Sequence, residues 1–313
     1  MRVFVTGATG CLGEGIVKKL KGRGYDVVGL VRTADSARLL EALGCKVVIG
    51  DITQPGLWQQ EASTAEGIIH AAWVRPGRRL GMKWVHTAAA ADVIAIHKLI
   101  EAAKKGNRCR ALIYTSAVAA YGSHGDAWID ESTASIPGAI GQAHFSSEQF
   151  VMNAYRDGVP AFCFRPGTFY GSTGSFAKFF LAEAQKGKLS YVGPGDNYMS
   201  FIHIHDVAEA YVLALECPPV GQVLSIVDDE PIRMREMSEL VLKTWGGGKV
   251  SSAPVWLVAL FAGRPLAELL SGSYRVKNNK VKLLLGWKPS YPTVRQGLKD
   301  VIAEFRNFHN LHG

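Results

Sequence analysis

Short apolar runs alternate with longer helical patterns through the first half of the chain. The runs are "RVFVTG" (2–7), "DVVGLVR" (26–32), "KVVIGD" (46–51), "GIIHAA" (67–72), "ALIYTSA" (111–117) and "AFCFRPG" (161–167). The segments between them, such as "EGIVKKLKGRG" (14–24), carry apolar residues at helical spacing. Strands that are apolar on both faces and alternate with helices predict a parallel, doubly wound sheet.

The second half of the chain is less regular. The change from the alternating pattern of the first half suggests a second, smaller domain. Segments such as "FAKFFLAEAQKG" (176–187) and "GQVLSIV" (221–227) are followed by a helix-rich tail. A chain of 313 residues suggests about two domains. We expect an α/β fold with a Rossmann-like domain over 1–165 and a smaller mixed C-terminal domain over 166–313 that mainly binds substrate. The strand near 222–227 is a candidate to return to the first domain.

The segment "VFVTGATGCLGEG" (3–15) carries the strongest motif in the chain. A strand ends at Thr6, and Gly7, Gly10 and Gly13 follow at three-residue spacing before a helix. The first glycine permits a tight turn, the second admits a pyrophosphate, and the third lets helix and strand pack closely. The helix N-terminus then offers unpaired N–H groups to the phosphates. The motif therefore predicts a dinucleotide site.

The end of the second strand predicts which dinucleotide binds. An acidic residue there would bind the 2′-hydroxyl of NAD, but this strand is followed by Arg32, which suits the 2′-phosphate of NADP. A surface arginine without a ligand is the alternative interpretation. Asp51, after the third strand, is a candidate to hold the adenine amino group, or simply to start the turn "GDITQPG" (50–56). NADP is the predicted cofactor, with NAD as the alternative.

Charge and cysteine usage narrow the classes of partner. The formal net charge is +8, but the basic residues are dispersed without interleaved aromatics, so no nucleic-acid partner is predicted. Five widely spaced cysteines, none in a CxxC pair, predict reduced thiols in a cytoplasmic protein. The most apolar later stretch, "APVWLVALFAG" (253–263), is too short to span a bilayer, so no membrane association is predicted.

Several motifs together resemble the extended short-chain dehydrogenase/reductase family, which includes nucleotide-sugar epimerases, dehydratases and dihydroflavonol-reductase-like enzymes. The motifs are "TGATGCLG" (6–13), "GDIT" (50–53), "HAAW" (70–73), "RPGTFYG" (165–171), "FIHIHDVAEAYVLALE" (201–216) and "LLGWKPSYPTVRQGLKDVIAEF" (284–305). The resemblance implies that the cofactor contacts Gly7, Thr9, Gly10, Cys11, Leu12, Gly13, Arg32, Asp51, Ile52, Ala71, Ala72, His144, Pro166, Gly167 and Thr168. It also implies that helices near 86–105 and 139–156 form a dimer interface in many members, which makes a homodimer a candidate assembly.

The residues that react in this family are replaced here. The resemblance implies a Ser or Thr, a Tyr that transfers a proton, and a Lys four residues after it that lowers the tyrosine pKa. Alignment backward from "RPG" places Ile140 at the tyrosine position and His144 at the lysine position. The serine position falls on Ala117, one residue after Ser116. Both Ile140 and His144 are expected on the cleft face of one helix, because residues four apart share a face.

Other side chains are candidates to compensate. The predicted catalytic residues are Ser116, His144 and Tyr121, and the predicted substrate contacts are Arg75, Ile140, Tyr170 and Tyr198. For His144 the alternative is a buried helix histidine, for Ser116 a turn cap, and for the tyrosines simple packing. His203, His205 and Asp206 invite a zinc interpretation, but alternation along a strand turns the carboxylate away from the histidines, so no metal is predicted.

The loop "RPGRR" (75–79) places Arg75, Arg78 and Arg79 beside the carboxyl edge of the predicted sheet. It predicts a small-molecule substrate that is anionic or carrier-bound, unless the loop is merely solvated. The leading hypothesis is an atypical NADP-dependent oxidoreductase acting on a small organic substrate. The second is a non-redox isomerase, cyclase or dehydratase on the same scaffold, and the third is a cofactor-sensing protein without turnover.

Overall fold

The computed structural model describes residues 1–74 and 80–312, with side chains described through residue 308. The strands are β1 (Arg2–Thr6), β2 (Asp26–Val31), β3 (Lys46–Ile49), β4 (Gly67–His70), β5 (Ala111–Thr115), β6 (Trp128–Ile129), β7 (Ala161–Pro166), β8 (Thr168–Tyr170), β9 (Lys188–Val192), β10 (Tyr198–Met199), β11 (Phe201–His203), β12 (Val223–Ile226), β13 (Ile232–Arg233), β14 (Lys249–Ala253) and β15 (Arg275–Val276).

Helices follow most of these strands. They are α1 (Cys11–Gly22), α2 (Ala34–Glu41), α3 (Trp58–Ser63), α4 (Met82–Gly106), α5 (Ala139–Arg156), α6 (Gly174–Phe176), α7 (Ala182–Gln185), α8 (Ile204–Glu216), α9 (Met234–Trp245), α10 (Val255–Ala262), α11 (Arg264–Ser271), α12 (Asn279–Leu285) and α13 (Val294–His312). A 3₁₀ turn covers Val118–Tyr121, and a π-helical turn over Ala177–Leu181 joins α6 to α7.

Seven strands form one parallel sheet in the order β12-β7-β5-β4-β1-β2-β3. The order reverses at β1, which lies between β2 and β4. A doubly wound sheet binds ligands outside the carboxyl ends of the strands at such a point. The prediction of a Rossmann-like fold from alternating apolar runs is confirmed. The last strand, β12, comes from the C-terminal half of the chain and pairs with β7.

Apolar side chains cover both faces of the sheet. One core joins α1 and α8 to the sheet through residues such as Ile16, Leu20 and Tyr211. The opposite core joins α3, α4 and α5 through Trp58 and Leu99, among others. The strands are buried on both sides because helices pack on both faces, which explains why their sequences are apolar throughout rather than alternating.

The remaining C-terminal elements enclose a separate apolar cluster beside the carboxyl edge of the sheet. It includes Phe176, Phe201, Met237 and Leu298. Four separate two-stranded sheets are found outside the main sheet in the described part of the chain, and in one of them β8, which follows β7, runs parallel to β11. Along residues 1–74 and 80–312, no helix has both the length and the apolar character that crossing a bilayer requires.

Candidate nucleotide and substrate site

The glycine-rich turn after β1 is built so closely that side chains cannot fit at two of its positions. Gly7 has a φ of +69°, and a Cβ there would lie 2.5 Å from the Ala71 carbonyl oxygen. A Cβ at Gly13 would lie 2.0 Å from the Gly7 carbonyl oxygen. At Gly10 the corresponding distance is 3.2 Å, so the protein itself nearly tolerates a side chain there. The space at Gly10 is therefore available to a ligand.

The helix that follows this turn begins without a side-chain cap. Gly10 is the N-cap of α1 and has extended backbone angles, and no side chain of the described residues bonds the first-turn N–H groups. Its carbonyl accepts the first helical bond, from the Glu14 N–H, at 2.8 Å. Uncapped N–H groups and the positive end of the helix dipole fit an anionic group. Residues 7–13 therefore fit the pyrophosphate of a dinucleotide.

Arg32 follows β2 and is exposed. In the described part of the chain it forms no hydrogen bond or ion pair. Asp51 is also exposed, and its Oδ1 accepts hydrogen bonds from the Thr53 N–H at 2.8 Å and from the Thr53 hydroxyl at 2.7 Å. These bonds lower the pKa of Asp51, and the charge of Arg32 adds to the effect. The Oδ1 atom of Asp51 thus stabilises the turn that Asp51 begins. The carboxylate is also close enough to Arg32 to feel its charge.

The other predicted cofactor residues lie at the carboxyl ends of neighbouring strands. Ala71 and Ala72 follow β4 and are half-buried, and Ile52 packs on the core under β3. Pro166 ends β7, while the Gly167 backbone approaches Ser200 so closely that a Cβ would lie 2.4 Å from its carbonyl oxygen. Half-buried positions in the same edge region are Thr9, Cys11 and Thr168, whereas Leu12 is buried under α1.

Ile140 and His144 both lie on the buried face of α5, each with 8% of its surface exposed. Ile140 packs with Val85 and Ala143 in a small apolar cluster that Trp73 and Trp84 also contact. It lines a cavity of about 300 Å³ between the start of α5 and α11. In short-chain dehydrogenases/reductases this position carries the tyrosine that transfers the proton. In this protein it is apolar.

His144 is held from two directions. Its ring stacks on Trp73 with ring centroids 4.1 Å apart and planes 27° apart. Its Nδ1 lies 3.1 Å from the Tyr114 hydroxyl. Burial lowers the pKa of His144, although the charges of Asp92 and Glu148 oppose this shift. The imidazole is therefore neutral near neutral pH.

The side-chain oxygens of Ser116 and Tyr121 differ in their hydrogen bonding: the Tyr121 hydroxyl has a protein partner and the Ser116 hydroxyl has none among the described residues. The Ser116 N–H donates to the Phe164 carbonyl at 2.7 Å, but its Oγ is buried without a partner among the described residues. Such unpaired buried groups are uncommon and suit a ligand contact. The Tyr121 hydroxyl is enclosed, hydrogen-bonded to the Ser225 Oγ at 2.8 Å, and burial raises its pKa to about 12. This burial counts against the predicted catalytic role of Tyr121.

The two tyrosines predicted to contact substrate lie in different surroundings. Tyr170 is fully buried, and its hydroxyl is 3.5 Å from the Thr293 carbonyl oxygen. This burial counts against substrate contact and favours packing, the alternative interpretation from the sequence. Tyr198 is half-buried, and its ring lies between the guanidinium groups of Arg233 and Arg275, at 4.4 and 4.7 Å.

The histidines that invited a zinc interpretation differ in role: the His203 side chain bonds the backbone, and the His205 Nδ1 lies 3.5 Å from an Asp206 carboxylate oxygen. His203 is the N-cap of α8, and its Nδ1 accepts a hydrogen bond from the His205 N–H at 3.2 Å. Asp206 accepts the Ser290 and Tyr291 N–H groups at 2.8 and 2.9 Å. These bonds connect α8 to the C-terminal segment.

Arg75, Arg78 and Arg79 lie outside the described residues, so the predicted anion contact at "RPGRR" stays a prediction.

The structure reveals a buried polar chain that the sequence interpretation missed. It joins residues from β1, β4, α4, β5 and α5, namely Thr6, His70, Asp92, Tyr114, Ser147 and His144. The sequence contains one signal for it: Asp92 is the single acid in the otherwise apolar helical stretch "AAAADVIAI" (88–96). A buried carboxylate requires partners, so that residue marks a polar site.

Three known proteins are similar to this chain over nearly its whole length. The 3-diazoavenalumate denitrifying reductase of a Streptomyces species is 30% identical over 312 residues, which cover 95% of this chain and 99% of the relative. DesIV, a dTDP-glucose 4,6-dehydratase of Streptomyces venezuelae solved with NAD and TYD, superposes with a TM-score of 0.84 at 20% identity, covering 99% and 98% of the two chains. The human epimerase family protein SDR39U1, solved with NADPH, has a TM-score of 0.80 at 21% identity, covering 97% and 99%.

The family comparison covers the elements that build the site. Residues 3–226 match the sequence model of a family described as the NAD dependent epimerase/dehydratase family. That range includes the glycine turn, Arg32, Ser116, α5 and the strand β12. The chain therefore belongs to the NAD dependent epimerase/dehydratase family.

Proposed function

We propose that this protein is an NADP-dependent oxidoreductase that reduces a small organic electrophile without the tyrosine–lysine pair. The observation that carries the proposal is the uncapped N-terminus of α1 behind Gly7, Gly10 and Gly13. Arg32, which has no ion-pair partner in the described part of the chain, supports NADP over NAD. The reductase name of the 30% identical Streptomyces relative supports the redox class.

The residues that would hold the cofactor have separate tasks. The backbone of 7–13 receives the pyrophosphate, Arg32 the 2′-phosphate, and Ala71 with Ala72 lies under the adenosine half. A nicotinamide cofactor bound here supplies a hydride to the substrate. Ile140 keeps the facing part of the cleft apolar and excludes water from it. Residue 140 cannot act as a general acid, because the isoleucine side chain has no acidic proton.

The substrate class follows from that missing proton donor. A carbonyl that receives a hydride becomes an alkoxide and requires an acid nearby. An electrophile whose product anion is stabilised by its own conjugation, or one that loses a neutral leaving group, requires less help. The Streptomyces relative is named for a diazo substrate, which belongs to the second type. We therefore expect conjugated or diazo compounds to be better substrates than simple ketones.

The test combines cofactor titration with turnover. NADPH and NADH are titrated against the protein by fluorescence, and loss of NADPH absorbance is followed with panels of ketones, conjugated carbonyls and aryl diazonium compounds. Gly10→Val is the control, since it should bind neither cofactor. Oxidation of NADPH by one panel supports the proposal. Substrate conversion without net NADPH loss would instead support an isomerase or dehydratase, and cofactor binding without any conversion would support a sensing protein.

A further inference from the structure

We propose that Asp92 and Tyr114 are positioning residues that hold His144 as an imidazole protonated on Nδ1, so that its Nε2 accepts a hydrogen bond from a hydroxyl of the bound cofactor. The inference rests on the proposed function, because the cofactor provides that hydroxyl. The hydrogen bonds that lead from Asp92 through Tyr114 to His144 each have a donor and an acceptor that can be assigned. In the resembling family the lysine at this position can only donate, so the polarity of the contact would be reversed here.

The carboxylate of Asp92 is the point at which the buried chain converges. Its Oδ2 receives the Tyr114 hydroxyl at 2.8 Å and the Ser147 hydroxyl at 2.6 Å. Its Oδ1 lies 3.1 Å from the Nε2 of His70. Burial would raise the pKa of Asp92, but the hydrogen bonds from His70 and Ser147 outweigh it and the pKa is lowered. Asp92 is therefore ionised, and an ionised carboxylate only accepts hydrogen bonds.

This direction determines the proton position on His144. The Tyr114 hydroxyl has one proton and donates it to Asp92. Its remaining contact, with Nδ1 of His144 at 3.1 Å, must then be one in which the tyrosine oxygen accepts. Nδ1 of His144 therefore carries a hydrogen. Because the ring is neutral it has only one N–H, so Nε2 bears a lone pair.

At the end of the buried hydrogen-bonded chain nearest β1, His70 lies between Asp92 and Thr6. His70 donates from Nε2 to the ionised Asp92, and its Nδ1 lies 2.6 Å from the Thr6 hydroxyl. The three groups in direct contact with Asp92, on His70, Tyr114 and Ser147, all donate to its carboxylate. The charged or titratable groups that act on His144 are Asp92, Glu148 and His70. Thr6 ends β1 directly before the glycine turn, so the chain connects the nucleotide loop to α5.

Nε2 of His144 has no hydrogen-bond partner among the residues that the structure describes. Trp73, stacked on the ring at 4.1 Å, and Tyr114, bonded to Nδ1, prevent the ring from turning. A fixed acceptor without a partner along residues 1–74 and 80–312 favours a donor on the ligand. His144 in this state cannot donate a proton from Nε2, so the proton for any reaction comes from a group other than that nitrogen.

The direct test is the tautomer of His144 in the intact protein. Protein labelled with ¹⁵N-histidine is measured by long-range ¹H–¹⁵N correlation NMR, with His144→Gln to assign the signals. The expected result is a protonated Nδ1 and a bare Nε2, with the Nε2 resonance moving when NADPH is added. Tyr114→Phe should shift His144 toward the Nε2–H tautomer and weaken NADPH binding by roughly three- to tenfold, the effect of one hydrogen bond.

Tyr211→Phe is the matched control. Tyr211 is fully buried and hydrogen-bonded to the Thr115 hydroxyl at 2.7 Å, and it makes no hydrogen bond to the Asp92 chain. Its removal should leave the tautomer and the NADPH affinity unchanged. An Nε2–H tautomer in the wild-type protein would overturn the inference even if NADPH binds, and so would a Tyr114→Phe variant that behaves like the control. Absence of NADPH binding to a wild-type protein with protonated Nδ1 would overturn the ligand contact together with the proposed function, while leaving the tautomer assignment in place.

Discussion

The guanidinium of Arg165 donates two hydrogen bonds to the carboxylate of Glu148, at 2.8 and 2.6 Å, in the protein interior. Glu148 lies on α5 one turn after His144, and Arg165 lies near the end of β7. Arg165 also stacks over the Tyr121 ring at 4.1 Å. The pair therefore sets the rotation of α5 against the sheet, and with it the inward direction of Ile140 and His144.

Glu148→Gln should destabilise the protein strongly, because it leaves the Arg165 charge buried without a counter-charge. We expect the free energy of unfolding to fall by roughly 3–5 kcal/mol, as for other broken buried pairs. Urea unfolding measures it. The control is Glu14→Gln, which removes an exposed pair with Lys18 and should cost less than about 1 kcal/mol. Equal losses in the two variants would show that the buried pair does not hold α5.

Gly10 and Gly13 should respond differently to alanine. Gly10→Ala places its Cβ 3.2 Å from the Gly7 carbonyl oxygen, so the fold should persist while NADPH binding is lost. Gly13→Ala would place a Cβ 2.0 Å from the same oxygen, and overpacking of this kind costs roughly 1–3 kcal/mol. Thermal unfolding and NADPH titration separate the two effects.

The control for the glycine variants is Gly22→Ala at the end of α1, where no atom lies within 4 Å of the new Cβ. It should change neither NADPH affinity nor, beyond about 1 kcal/mol, the stability. Unchanged NADPH affinity in Gly10→Ala would contradict the placement of the pyrophosphate beside that residue.

Arg32→Ala should reduce the preference for NADPH over NADH. Loss of a charge-assisted contact to the 2′-phosphate should weaken NADPH binding by about tenfold, which is 1.4 kcal/mol, and leave NADH binding unchanged. Calorimetric titration with both cofactors measures it. Arg38→Ala is the matched control, since Arg38 is 77% exposed on α2 and already pairs with Asp35. If both cofactors weaken equally in Arg32→Ala, the residue does not select NADP.

Asp228 should make the protein less stable as the pH rises. It is buried, its Oδ2 has no partner among the described residues, and burial raises its pKa to about 8. The folded state therefore keeps a proton that the unfolded chain loses near pH 4, so stability is fully present below that pH and declines up to about pH 8. The slope should be on the order of 1 kcal/mol per pH unit from this group.

The variant Asp228→Asn isolates this contribution. It cannot ionise, so its stability should fall less steeply than that of the wild type between pH 5 and 8, and it should be the more stable protein at about pH 8. Urea unfolding of both proteins across this range gives the difference. Parallel stability curves would mean that Asp228 is already ionised in the folded protein.

Restoring the family pair with Ile140→Tyr and His144→Lys should not raise ketone reduction. The lysine would meet Tyr114 and the ionised Asp92, and the tyrosine hydroxyl would enter the apolar cluster around Val85 and Ala143. We expect kcat/KM for simple ketones to stay at or below the wild-type value. Ile140→Leu is the conservative control. A large gain from the double change would show an ordinary reductase pocket that has lost only two side chains.

The sheet, the glycine turn and the two replacements on α5 can all be predicted from the order of residues. These features are local: a buried strand is apolar along its length, a turn requires glycine at Gly7, and residues four apart share a helix face. For that reason the apolar runs matched the observed strands closely, and the four-residue spacing of Ile140 and His144 corresponds to one shared, buried helix face.

The contacts between polar groups depend instead on how the elements pack in three dimensions. Asp92 is 22 residues from both His70 and Tyr114 and 55 residues from Ser147, and only packing of α4 and α5 on the parallel sheet brings them into hydrogen-bond distance. The same packing enclosed the hydroxyls of Tyr121 and Tyr170, although their place beside strand ends suggested the cleft. Periodicity specifies which face a residue occupies, but hydrogen-bond partners depend on the relative rotation of elements that are distant in sequence.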